Sequence, residues 1–357
     1  MMMIRKSTFC LNFANPGKIQ ELRKIFEEAK RVVNIFIDIF WSQQKFTGKF
    51  CHLKTETFLS AAAQQVCSKQ ALEIVKSQRK RKKKFKPEFK GNSFQLDSRF
   101  IAFLHLENSF DFWVKLAGFY PAKTQLTLFI PCKKHRHFNQ LVSDGWKLKS
   151  AARLGLKGDK LVLDVYLEKK APELKEKGNQ VGVDIGYCKL LATSEGQKLG
   201  TGFKNLAEKI QRKRQGSNGF KKALVERNEF VNRVVKELPF ATTKTFVLEE
   251  LHRLKNGRRF RKDFQAKFQR WTYPAVVKRI QLTAERLGVR VITVNPAYTS
   301  QTCSRCGSKD KNSRNGEVFA CTSCGYRSDA DVNASVNISK RFRLPEHLDP
   351  VKFVADH

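Results

Sequence analysis

The sequence predicts a β-rich unit carrying helices, followed by an α/β unit with a mixed sheet into which a small cysteine-built element is inserted. Three observations predict it. Short alternating apolar runs follow two helical stretches before residue 170, and a charged, turn-forming stretch with Pro172 and Gly178 separates Lys169 from Gln180. Beyond it, strand and helix signals alternate up to two Cys-x-x-Cys pairs.

Asn15 and Pro16 combine a cap residue with proline at the first helical position, and Ile19, Leu22, Ile25, Phe26, Ala29, Val32, Val33 and Phe36 then recur at helical spacing. This predicts a long amphipathic helix. A second helical stretch covers Thr57 to Val75. Phe94 to Phe103, Gln125 to Pro131, Trp146 to Leu156 and Leu161 to Leu167 alternate between turn residues and read as strands. In the second unit, strands are expected at Val181 to Ile185, Leu190 to Thr193, Thr245 to Leu248 and Val289 to Val294, with an amphipathic helix over Pro274 to Leu287.

The 357 residues are 41% hydrophobic, enough for two or three cores at ~100–200 residues per domain. Lysine and arginine number 69 against 33 acidic residues, a net charge of +36. Such an excess points to a polyanionic partner. Anionic membrane is the competing partner, but the most apolar early stretch, Val32 to Trp41, is broken by Asn34 and Asp38 and is far shorter than the ~20 residues of a span. Nucleic acid is therefore the expected partner, and no membrane. Met1 to Lys6 leads into polar sequence with no secretory apolar core, which predicts an intracellular, cytoplasmic protein, nucleoid-associated if the source is prokaryotic.

Of nine cysteines, five are scattered, whereas Cys303, Cys306, Cys321 and Cys324 form two knuckles, each followed by a glycine, Gly307 or Gly325. Four thiolates so spaced suit one structural Zn²⁺ in a closed tetrahedral site, a zinc ribbon, rather than a redox pair. The loop between the knuckles is polar and basic, and folding of the ribbon is expected to help fix the acids that follow it.

Three acidic places stand out. Alternation in Val181-Gly182-Val183-Asp184-Ile185-Gly186 sets Asp184 on the face opposite the three apolar residues, beside glycines that leave space around it. The strand ending Val247-Leu248 stops at Glu249-Glu250, and Asp329-Ala330-Asp331 opens a helix with Asp329 as its cap. Taken singly, each fits a turn, a cap or a solvated end as well as a metal site. Two aspartates and two asparagines, Asn333 and Asn337, at one helix start favour a polar site.

Together the blocks carry a resemblance. Val-Asp-Ile-Gly at Asp184, Leu-Glu-Glu-Leu at Glu249, Thr299 to Gly307, Phe319 to Tyr326 and Ala330-Asp331-Val332-Asn333-Ala334 match in order and spacing, and over about residues 180 to 342 the chain resembles TnpB, the insertion-sequence-encoded nuclease family related to type V CRISPR effectors. Ala334-Ser335 stands where the family usually has two alanines. The resemblance implies an RNase H-like (RuvC) nuclease domain with an inserted zinc ribbon, preceded by a β-barrel with a helical insertion. Its expected organisation is a wedge-like barrel at 1–172 with a recognition insertion at about 16–112, the nuclease domain from 180 to 300, the ribbon at 301–328, a closing helix at 329–345 and a tail at 346–357.

Carried across by position, the family's metal ligands fall on Asp184, Glu249 and Asp331, which would hold two Mg²⁺ for phosphodiester hydrolysis. The implied partners are a guide RNA and double-stranded target DNA, with monomer and dimer both open. The alternatives are a compact type V CRISPR effector, a nuclease-inactive RNA-guided repressor and a strand-transferring transposase.

Three basic runs are expected to bind phosphates without reading sequence. Their candidates are Arg79, Lys80, Arg81, Lys82, Lys83 and Lys84; Lys209, Arg212, Lys213 and Arg214; and Arg258, Arg259, Arg261 and Lys262. Arg327, just before the last acids, is the candidate for touching the scissile phosphate. Phe85, Phe89, Phe260, Phe264, Phe268, Trp271 and Tyr273 lie in or beside these runs, either stacking on bases or, for most, packing inward.

Overall fold

Asn15 turns the chain from strand into helix: its side chain accepts from the backbone N–H of Lys18 at 3.0 Å, and Pro16 opens helix α1 (Pro16–Ser42). The computed structural model describes residues 2–43, 55–81, 85–91, 93–104, 109–122, 126–157, 160–250 and 273–342. They fall into two units, Met1–Lys170 and Ala171–His357. No helix among them is long and apolar enough to cross a membrane.

In the first unit α1 buries Leu22, Ile25, Phe26, Ala29, Val32, Val33, Phe36, Ile37 and Phe40 and packs against α2 (Ala61–Arg79), which Ser60 caps. Four antiparallel strands form one sheet in the order β1 (Met2–Cys10), β7 (Lys160–Lys170), β6 (Lys147–Lys157), β2 (Ser93–Leu96). A second sheet joins β3 (Ile101–Leu104), β4 (Phe112–Leu116) and β5 (Leu128–Cys132), and α3 spans Arg136–Ser143. The run expected as one strand from Phe94 to Phe103 is therefore two strands in different sheets. Asp97 breaks it, its side chain accepting from the N–H of Arg99 at 3.0 Å and its carbonyl from that of Phe100 at 2.9 Å.

The second unit is built on five strands in the order β10 (Lys198–Thr201), β9 (Lys189–Thr193), β8 (Asn179–Ile185), β11 (Thr243–Glu249), β12 (Arg290–Val294). β8, β11 and β12 run parallel, and β9 is antiparallel to both its neighbours. In order of appearance this is 3-2-1-4-5 with the second strand reversed, the arrangement of an RNase H-like sheet. One face, with Val181, Val183, Ile185, Phe246 and Leu248, packs on α4 (Phe203–Gln211), α5 (Asn218–Lys236) and α6 (Tyr273–Leu287). The other face receives α7 (Ala330–Lys340). Before α7 comes a small sheet, β13 (Arg314–Asn315), β14 (Val318–Ala320) and β15 (Arg327–Asp329), around its own core of Cys303, Phe319, Cys321 and Ala330.

Candidate metal centres

Strand alternation puts Gly182, Asp184 and Gly186 on the face of β8 that α7 covers. A Cβ at Gly182 would lie 2.0 Å from the carbonyl oxygen of Ser335 and 2.6 Å from the N of Ser339, so only glycine admits α7 this close. A Cβ at Gly186 would lie 3.6 Å from Oδ2 of Asp331. The space that glycine leaves beside Asp184 is thus used by the helix that delivers Asp331. Glu249 ends β11, the parallel neighbour of β8, and these three carboxylates line one cleft of about 960 Å³ with Glu250, Tyr298, Thr299 and Arg314.

The cleft is hard on bare carboxylates. Burial pushes the Asp184 carboxyl well above the usual carboxylate range; the charges of Glu249 and Asp331 push the same way, and Arg314 opposes them. Burial also raises Glu249, against a hydrogen bond from the Thr299 hydroxyl and the charges of Arg341 and Arg314. Thr299 donates to Oε1 of Glu249, and the Tyr273 hydroxyl donates to the Glu249 carbonyl. Tyr273 is therefore a core residue with a structural hydroxyl, not a stacking surface.

Asp331 is buried and accepts at Oδ1 from Nη2 of Arg314 at 2.8 Å. Asp329 caps α7 as expected: its Oδ1 accepts from the N–H groups of Asp331 (3.1 Å) and Val332 (3.3 Å), while its Oδ2 meets Nζ of Lys189. Burial works against its ionised form, but Lys189 and these amides hold Asp329 below the usual carboxylate range. Lys189 also pairs with Glu317 at 3.1 Å. The two asparagines lie outside the cleft's lining. Asn333 accepts from the N of Ser304 at 2.9 Å and donates to the Thr302 carbonyl at 2.8 Å, and Asn337 donates to the carbonyls of Thr299 (2.9 Å) and Thr302 (2.6 Å). Both clamp α7 to the loop leading into the first cysteine knuckle.

The knuckles repeat one geometry. Cys303 N donates to Ser308 O at 2.8 Å and Gly307 N to Cys303 O at 3.0 Å; Cys321 N donates to Tyr326 O at 2.8 Å and Gly325 N to Cys321 O at 3.1 Å. Gly307 (φ 79°) and Gly325 (φ 67°) supply the left-handed turns. Sγ of Cys303 is 3.8 Å from that of Cys324, and Sγ of Cys306 is 3.7 Å from that of Cys321. Four thiolates ~2.3 Å from one tetrahedral ion stand about 3.8 Å apart, so this cluster could hold zinc without rearrangement. Among the described residues only these four bring ligand atoms within 4.8 Å of one another; the three carboxylates are spread more widely around their cleft.

The basic candidates separate. Lys80 and Arg81 are exposed at the end of α2, as are Arg212, Lys213 and Arg214 between α4 and α5, and Lys209, which pairs with Glu226 at 2.7 Å. Arg79 differs: its guanidinium donates to the carbonyls of Phe40 (2.9 Å) and Trp41 (3.3 Å) and lies over the Trp41 ring, closing the end of α1. Arg327 is exposed on β15 and does not line the cleft, whereas Arg314 does. Lys82, Lys83, Lys84, Arg258, Arg259, Arg261 and Lys262, with Phe260, Phe264, Phe268 and Trp271, lie outside the described residues. Arg314 and Thr299 were not singled out from sequence, although the basic loop between knuckles contains the first and the matched block at Thr299 to Gly307 opens with the second.

Residues 273–338 match the family model described as Cas12f1-like, TNB domain. A CRISPR-associated endodeoxyribonuclease Cas12f1 of Sulfoacidibacillus thermotolerans is 40% identical over 97 residues, 27% of this chain and 21% of that protein. A TnpB-like protein of Aquifex aeolicus is 25% identical over 260 residues, 60% of this chain and 84% of that one. The chain spans about a fifth to a quarter of the length of the Cas12f1 relatives it first matches. A cryo-EM structure of a Cas12f1-sgRNA-target DNA complex superposes with a TM-score of 0.62 over 91% of this chain and 83% of that one at 14% identity, a likeness of fold. Strand order, matched domain and relatives of both kinds agree: the chain is similar to TnpB-like proteins and Cas12f1 endodeoxyribonucleases and carries a RuvC nuclease fold.

Proposed function

We propose that the protein is an RNA-guided DNA endonuclease, encoded by or derived from a transposable element, that hydrolyses target DNA after guide RNA pairs beside a short target-adjacent motif. The observation that carries this reading is the convergence of Asp184, Glu249 and Asp331, from β8, β11 and the head of α7, on one cleft. Three carboxylates in a part-buried site need cations to offset their mutual repulsion, which favours a divalent-metal site. Asp184, Glu249 and Asp331 would hold two Mg²⁺, whose chemistry when bound is activation of water and stabilisation of the departing 3′ oxygen. Thr299 orients Glu249, Tyr273 fixes its backbone, and Asp329 fixes the backbone of Asp331. Arg314 supplies a cation to the scissile phosphate in place of Arg327.

In this reading the four cysteines hold one structural Zn²⁺ in a ribbon at 301–328, inserted between the nuclease domain at 180–300 and its closing helix α7, which spans Ala330–Lys340. Residues 1–172 form a wedge-like barrel with α1 and α2 as its recognition insertion, an insertion shorter than the expected 16–112 because β2 at Ser93–Leu96 pairs with β6 in the sheet of β1 and β7. Exposed Lys80, Arg81, Lys209, Arg212, Lys213 and Arg214 contact phosphates, and the net charge of +36 favours this. The Cas12f1-like domain match favours a compact CRISPR effector as a second reading with the same chemistry. The test is to sequence the RNA that co-purifies with the protein and offer DNA matching it. Mg²⁺-dependent cleavage that disappears in Asp184→Ala, with RNA retained, is expected; no bound RNA, or cleavage in that variant, overturns the reading.

A further inference from the structure

Tyr298 is the only non-glycine residue among those described with a positive φ, at 66°. A tyrosine resists that backbone, because its Cβ crowds the following carbonyl, and glycine or asparagine would adopt it more readily. The usual reason to tolerate such strain is a ring packed into a core, but Tyr298 is 53% exposed. It lines the carboxylate cleft, and its neighbour Thr299 holds the Glu249 side chain. The loop is fixed rigidly: the Tyr298 carbonyl accepts from the N–H groups of Gln301 and Thr302, both at 3.1 Å, and from the Thr302 hydroxyl at 2.9 Å. Lys309 places its ammonium 3.0 Å from the ring centroid, covering one face.

We infer that Tyr298 is a stacking platform for one nucleobase of a single strand entering the cleft, with Lys309 behind the ring. The inference deepens the nuclease reading and rests on it, since a strand must reach the carboxylates. A rigidly held, strained and exposed ring at the mouth of a cleft meets the need: a base offers a flat π-face whatever its identity, so stacking locates a strand without selecting its sequence. The charge on Lys309 sits where it strengthens the ring's hold on one side and leaves the other side for the base. The ring acts by positioning a nucleotide next to the bond that is cut and takes no part in proton transfer.

The test uses the full chain with its co-purified RNA and matching DNA, and single-stranded DNA oligonucleotides carrying 2-aminopurine at successive positions as probes, with Ca²⁺ replacing Mg²⁺ to suppress turnover. One position is expected to be quenched on binding. Tyr298→Phe keeps the quench, whereas Tyr298→Asn and Tyr298→Gly, which suit the left-handed backbone, lose it and weaken binding by about 5- to 150-fold. An abasic site at that position should weaken binding to the wild type and leave the Tyr298→Asn variant indifferent. Retained quenching in Tyr298→Asn, or equal weakening on abasic and intact strands, overturns the inference. Cleavage measured in parallel with Mg²⁺ separates the two readings: cleavage without position-specific quenching rejects the stacking platform alone, and quenching without cleavage rejects the nuclease while the platform stands.

Discussion

Arg314 donates from Nη2 to Oδ1 of Asp331 at 2.8 Å, so the acid at the head of α7 meets a cation brought by the loop between the two cysteine pairs. A guanidinium in a cleft of carboxylates offsets their mutual repulsion and is available to a phosphate that displaces it. Arg314→Ala is expected to lower single-turnover cleavage by about 10²- to 10³-fold at saturating Mg²⁺, the usual effect of removing one charge-stabilising donor, while target binding persists. Cleavage kinetics and a gel-shift on one preparation check it, and an unchanged rate would remove Arg314 from the mechanism.

Thr299 holds the Glu249 carboxylate, so Thr299→Val should act through divalent-metal requirement. The half-saturating Mg²⁺ concentration is expected to rise roughly 10- to 100-fold, as for other lost partners of metal ligands, with Thr299→Ser near wild type. A Mg²⁺ titration of cleavage decides; a lower plateau with no shift in the titration would assign Thr299 a different role.

Gly182→Ala tests the close approach of α7 to β8. Its Cβ would meet backbone atoms of Ser335 and Ser339, so α7 must shift and carry Asp331 with it. We expect cleavage to fall at least about 100-fold, as 1 Å misplacements can cost, with zinc content and RNA binding preserved. Wild-type activity in this variant would show that the helix need not sit so near.

Stability should vary with pH through Asp184. Its carboxyl is raised in the folded chain by burial and then by Glu249 and Asp331, so the folded state binds the proton more tightly than the unfolded state. Its contribution is present at acid pH and is lost as pH rises through the folded value, which makes the Mg²⁺-free protein less stable at neutral pH. Asp184→Asn should therefore melt higher than wild type in Mg²⁺-free buffer at pH 8, with the gap closing toward pH 4. Parallel melting curves across that range are the measurement, and a gap that widens toward acid would reverse the assignment.

The cysteine cluster should hold one zinc per chain. Changing Cys303 and Cys321 to Ser should remove the metal signal in elemental analysis, and cleavage should not return on adding Mg²⁺. The reason is that α7 is clamped by Asn333 and Asn337 to residues 299–304, which lead into the first knuckle. Full activity in the zinc-free variant would uncouple the cluster from Asp331.

Much of this was legible in the chain because local chemistry determined it. Period-two alternation set Asp184 opposite Val181, Val183 and Ile185, Asp329 read as a cap, and paired glycines marked the knuckles. What stayed hidden depends on distant partners. Arg79 looks like its basic neighbours until the carbonyls of Phe40 and Trp41, some forty residues away, are seen to take its guanidinium. Arg314 is one cation among many until β13 sets it against Asp331. Gly182 resembled a source of open space because sequence cannot say that a helix 150 residues later fills it.

The position of α7 has a consequence for how the protein is made. Asp184 and Glu249 lie on neighbouring strands that are synthesised well before Asp331, which reaches the sheet only after both cysteine pairs have left the ribosome. A nascent chain, or one cut short anywhere before residue 331, has two of the three acids and no clamp to bring a third. Chain order alone therefore makes the three-carboxylate cleft the last part of this unit to be completed, after its strands and both cysteine pairs already exist.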